Sequence, residues 1–259
     1  MACGWGSIVV VQFAVALTYL LGVAIFARGG QGCFLSKFSF FYSYLAYFLV
    51  TGLVSVVLDS VASQYFVIFF WLKFLTLVLA EFALVVEIGD HLFEPYPALC
   101  ALGRLVTFGI AGVFFVLYIL PPLVEARPTD MALLDLVKRS ALTKGIILVA
   151  LFAAARYYSI PVGRNVAGIA LGLAAYLAVH TANFALAEHF GRESYAPIFA
   201  TVGPLSQVLT LVIWAVALWR YAPAKQPEPS VASGEGVMSE TLTHQLGRYN
   251  AALDRLLRK

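Results

Sequence analysis

Apolar runs of about twenty residues recur along the chain from Ser7 to Trp219, separated by short polar or proline-bearing segments. A run of that length is what a helix needs to cross the hydrocarbon core of a bilayer. Hydrophobic residues make up 61% of the 259 residues and charged residues 12%, against about 25% charge in a soluble domain. The chain therefore reads as all-α, a polytopic membrane protein. Seven spans are expected, at about 7–27, 38–61, 65–88, 105–122, 138–160, 166–190 and 195–221, forming one bundle within residues 1–222.

The first run is kept as a span and not as a cleaved signal peptide. No positive charge precedes it, and Arg28 follows it. Between the third and fourth spans lies DHLFEPYPALCALGR, where Pro95 and Pro97 are expected to prevent a continuous helix and leave the segment along the membrane surface. Pro128-Thr129-Asp130 reads as a helix start, Thr129 being the N-cap, that continues into the fifth span.

Lys and Arg set the orientation. With the N-terminus outside, the inner segments hold eleven (Arg28, Lys37, Arg104, Arg156, Arg164, Arg220, Lys225, Arg248, Arg255, Arg258, Lys259). The outer loops hold four (Arg127, Lys138, Arg139, Arg192), with Lys73 and Lys144 inside spans. The expected topology is N-out and C-in.

Residues 223–240 are rich in Pro, Ser and Gly and read as a flexible linker. Residues 241–259 read as a cytoplasmic amphipathic helix, because Leu242, Leu246, Tyr249, Leu253 and Leu256 recur at spacings of four and three. That helix can rest on the inner leaflet, dock a protein partner or form a homodimer. The small net charge of +3 offers no basis for a nucleic-acid partner.

The third span carries Lys73, Glu81 and Glu87 within its apolar run. An ionisable side chain near mid-bilayer costs about 2.5–3.5 kcal/mol on insertion scales, so such groups turn toward protein or water. Lys73 lies roughly 13 Å below the outer end of its helix, and His180 roughly 15 Å below that of the sixth. Tyr176, His180 and Asn183 share one face of the sixth span, and Gln207 can join them from the seventh, beside Gly203-Pro204. Two readings stand for Lys73, Tyr176, His180, Asn183 and Gln207. They are an outer-half ligand pocket, or a set of interhelical hydrogen bonds. Lys73 can also reach outward to Asp59. Glu87 is expected to pair with Arg104, Arg156 or Arg164 at the inner interface. Glu81 has no cation assigned to it, and is expected to be neutral or functional.

Other chemistry finds no foothold. Asp90-His91 and Glu188-His189 fall on opposite sides of the expected membrane, and neither supplies a full metal ligand set. No metal or cofactor is expected. The motifs HExxH, GxSxG, the P-loop and GxGxxG are absent, so an enzyme is not expected. Gly168 and Gly172 form a GxxxG pair that predicts close packing of the sixth span.

Several short motifs carry a resemblance. They are Trp71, Glu87-Ile88, Phe93, Tyr96, Leu99 and Gly103, then Arg139, the GIALGLAAY run at Gly168–Tyr176, and the closing Tyr249-Asn250 to Leu257 segment. In these the chain resembles a family of uncharacterised seven-helix membrane proteins abundant in acidobacterial genomes. The resemblance implies a bacterial inner-membrane bundle, makes Glu87 and Arg139 positions of interest, and brings no activity with it. A receptor-like sensor or scaffold is the leading functional expectation. A small-molecule or ion transporter is the alternative, and an intramembrane enzyme comes third.

Overall fold

The computed structural model describes residues 3–31, 34–61, 63–119 and 130–219, with 243, 244 and 246–248 of the C-terminal stretch. Within them the elements are α1 (Cys3–Gln31), α2 (Phe34–Lys37), α3 (Ser39–Val61), α4 (Ser63–Leu92) and α5 (Pro97–Phe114). A π-helical turn, Phe115–Ile119, prolongs α5. Then come α6 (Asp130–Tyr157), α7 (Arg164–Phe190) and α8 (Arg192–Leu218). No strand occurs among the described residues. Thr129, the expected linker and most of the expected C-terminal helix lie outside them.

Long helices are the only backbone form here that satisfies its own N–H and C=O groups without water. Among the described residues, five are long and apolar enough to cross a membrane: Val9–Gln31, Phe69–Leu92, Pro97–Tyr118, Arg164–Phe190 and Tyr195–Leu218. Ser39–Ser55 of α3 is a shorter apolar stretch. Their outward faces are apolar too. On α5 and its extension, Leu102, Leu105, Val106, Phe108, Val113, Val116 and Leu117 are all exposed. A contiguous belt of that kind marks a surface covered by lipid.

One expectation about the α4–α5 connection is corrected. The prolines do not hold a surface segment open, because Pro97 starts α5, eight residues before the expected start at 105. At the first helical position its missing N–H is no loss, and its φ is already helical. Only residues 93–96 form the turn, closed by Phe93 N–H to Gly89 O and Tyr96 N–H to Phe93 O.

The helices pack as a ring in which α1 touches α3 and α8, α3 touches α4, α6 touches α7, and α7 lies along α8. α4 closes the ring between α3 and α6, and also touches α7, while α5 leans on α4 from outside. Much of the second half of α4 is accordingly buried, including Val78, Glu81, Phe82, Leu84, Val85, Glu87 and Ile88, while Leu79 faces outward. The closest approach is between α7 and α8. A Cβ on Gly168 would collide with Ala217, and one on Gly172 with the Trp214 indole. The GxxxG pair thus serves packing within the bundle.

Candidate functional site

At mid-bundle the ammonium of Lys144, on α6, meets the carboxylate of Glu81, on α4. Their side chains are 2% and 10% exposed. This corrects the reading of Glu81 as a carboxyl without a cation. Lys144 stands in an apolar stretch of the fifth expected span, where sequence analysis assigned it no role. Its ammonium also lies 5.6 Å from the Phe82 ring centre. Two opposite charges, each too costly to leave alone in the hydrocarbon, are held against one another.

Polar side chains from three further helices surround the pair. The hydroxyls of Tyr44, on α3, and Tyr176, on α7, lie within electrostatic reach of Glu81. His180 lies within reach of Lys144 and packs against Tyr176, tilted by 48°, at 4.2 Å between ring centres. Gln207, on α8, reaches the Tyr176 hydroxyl. A cavity of about 20 Å³ opens beside them, lined by Tyr44, Phe48, Tyr176, Gln207, Thr210 and Trp214. That is room for about one water, far below the 300–1,000 Å³ of a small-molecule pocket.

The structure divides the residues grouped by sequence. Tyr176, His180 and Gln207 come together around Glu81 and Lys144, and Asn183 lies one turn beyond His180 on α7. Asn183 is buried, with Nδ2 donating to Phe199 O at 3.4 Å. Lys73 is elsewhere. Its ammonium donates to Ser55 Oγ at 2.9 Å, which ties it to α3, and it stands eight residues, roughly 12 Å along α4, from Glu81. The Asp59 side chain lies outside the described residues.

Glu87 is also corrected. Its two oxygens accept the backbone N–H groups of Phe40 and Phe41, at 2.9 and 2.8 Å, in the first turn of α3. The first N–H groups of a helix have no intrahelical partner and carry partial positive charge, so a buried carboxylate is stabilised there. Arg104 instead pairs with Asp90 at 2.7 Å, beside the Cys100 thiol, which donates to Asp90 at 3.1 Å. No sequence rule finds a cap supplied 46 residues downstream, because capping motifs are local.

His91 Nε2 lies 2.7 Å from Lys37 O, and Glu188 pairs with Lys138 at 2.5 Å. Among the described residues no three His, Cys, Asp or Glu side chains converge as metal ligands. Three direct contacts join α7 to α8 below the charge pair. Asn165 Nδ2 donates to Ala217 O at 2.8 Å, Trp214 Nε1 donates to Ile169 O at 3.0 Å, and Thr210 Oγ1 lies 3.4 Å from Gly172 O.

Fold and site together define an all-helical membrane-protein bundle with a buried ion pair among polar side chains. No protein-family model matches the chain, and no curated protein or solved structure matches it.

Proposed function

We propose that the chain is a receptor-like sensor or scaffold subunit of a bacterial inner membrane, spanning it seven times with N-out and C-in topology. Its responsive element is the Glu81–Lys144 pair. The observation that carries this reading is one buried salt bridge tying the central helix α4 to α6, with Tyr44, Tyr176, His180 and Gln207 converging from three others. A buried pair has two well-separated conditions, closed or parted, since an unpartnered charge in a low-dielectric interior is costly. An input that neutralises either partner releases α4 from α6, and a bistable packing of this kind is what a switch requires. The acidobacterial resemblance fits this placement and adds no activity.

The test is a distance measurement between spin labels at exposed Leu79 on α4 and Ile146 on α6, with Cys3, Cys33 and Cys100 replaced by Ser. In lipid nanodiscs Glu81→Gln should add a second, longer distance to the single one of the unmutated pair. Identical single distances in both would remove the switch.

A transporter is the second reading, favoured by polar side chains that continue along α7 from Tyr176 through His180 to Asn183. Proteoliposomes should then show a proton or cation leak that Lys144→Met abolishes. No flux above empty vesicles sets this reading aside.

A further inference from the structure

The polar groups on the two sides of the charge pair are treated unequally. Toward the bundle end that holds Glu87, side chains between α7 and α8 bond directly to protein: Asn165 to Ala217 O and Trp214 to Ile169 O, with Thr210 against Gly172 O. Glu87 itself is taken up by Phe40 and Phe41. Toward the other end, where Lys138 pairs with Glu188, three buried atoms have no partner among the described residues. They are His180 Nε2 and Asn183 Oδ1 on α7, and Ser140 Oγ on α6. Ser140 is 1% exposed and Asn183 4%. Tyr42 Oη is also unpartnered, but it lies against Gly29 of α1, away from α6 and α7.

The three atoms are not scattered. Ser140 precedes Lys144 by four residues and so shares its face of α6, one turn nearer the Lys138 end. Asn183 follows His180 by three residues on the antiparallel α7, which moves it one turn toward the same end. From Lys144 to Lys138 is six residues, roughly 9 Å, so a few water molecules span the interval. Room exists nearby. The cavity beside Tyr176 and Gln207, at the level of the pair, holds about one water. Buried polar atoms left without a protein partner are the positions where proteins hold structural water.

We propose that α6, α7 and α8 bind a short file of water joining the Glu81–Lys144 pair to the Lys138–Glu188 end of the bundle, while the Glu87 end is sealed. Solvent protons then reach the pair from one side of the membrane only. Among the described residues, the titratable groups facing that file and pair are Tyr44 on α3, Glu81 on α4, Lys138 and Lys144 on α6, and Tyr176, His180 and Glu188 on α7. Gln207 of α8 faces them without titrating. The inference is independent of the sensor reading, since a dry bundle can switch and a wet one can transport.

The test is hydroxyl-radical footprinting of the full chain in lipid nanodiscs, using isotopically labelled water as the probe. Corrected for intrinsic reactivity, His180 should be oxidised at least about tenfold faster than Phe41, which is fully buried among apolar side chains. Equal rates in the unmutated protein overturn the proposal without any variant being made. Asn183→Leu, which replaces the amide by an apolar group, should lower His180 oxidation severalfold, whereas Thr210→Val should leave it unchanged. A drop in Thr210→Val and none in Asn183→Leu places water entry at the Glu87 end and overturns the one-sided path. If Asn183→Leu does not fold, Ser140→Ala at the same level is read in its place. No change of His180 oxidation there overturns the file.

Discussion

Lys144 of α6 and Glu81 of α4 are 63 residues apart in sequence and form an ammonium–carboxylate pair at the centre of the bundle. Removing one partner of a buried pair costs about 3–5 kcal/mol, because the other charge stays behind unpaired. Replacing both with apolar or neutral groups of similar volume is nearly neutral by comparison. Glu81→Gln and Lys144→Met should each lower stability strongly, and the double variant should recover most of the loss. Unfolding by denaturant in mild detergent measures the cycle. Additive single effects would mean that the two side chains do not depend on one another.

Glu87→Ala removes two acceptors from the first turn of α3. Loss of a helix cap costs about 0.5–2 kcal/mol, and here the N–H of Phe41 left unpaired is also buried. Amide hydrogen exchange at Phe40 and Phe41 should accelerate, while Lys73 and Ser55, at the far end of α3, keep their contact. Unchanged exchange at both amides would show that the cap is not made.

The α7–α8 seam discriminates among glycines. Gly168→Val and Gly172→Val force side chains into Ala217 and Trp214, and overpacking of this kind costs about 1–3 kcal/mol. Gly109→Ala, on α5, meets nothing within 4 Å and should be neutral or stabilising by up to about 1 kcal/mol through helix propensity. Thermal melts of the three proteins give the ranking, and a Gly109→Ala protein as damaged as the other two would contradict it.

Lys73 and His180 belong to different interfaces, one bonded to Ser55 and the other packed against Tyr176. Lys73→Met and His180→Ala should therefore combine additively, within about 0.5 kcal/mol. A larger coupling would revive the single outer pocket expected from their similar depth. Lys144→Met with His180→Ala is the positive control, since the Lys144 ammonium and the His180 ring are in reach of one another.

Reporter fusions after Lys37, Gly103 and Lys259 should read cytoplasmic, and one after Thr129 external. The mirror-image pattern would place the Lys138–Glu188 end on the cytoplasmic side and invert the direction of proton access.

Helix after helix was legible in the chain itself, because a backbone surrounded by hydrocarbon has few alternatives to bonding with itself. Periodicity also placed Tyr176, His180 and Asn183 on one face, and the GxxxG spacing announced the tight seam that Gly168 and Gly172 make with α8. Those are local relations, within one or two turns of helix. The partner of Glu81, the cap that Glu87 provides and the diversion of Lys73 to Ser55 were not legible, although every residue involved was in plain view. Each is a meeting of groups 18 to 63 residues apart, between helices whose rotation about their own axes decides which faces touch. A uniformly apolar helix carries little pattern to set that rotation, since lipid and protein accept the same side chains. Sequence left Glu81 without a cation and Lys144 without a role; only the packing of α4 against α6 and α3 decided which carboxylate received Lys144 and which received a helix terminus.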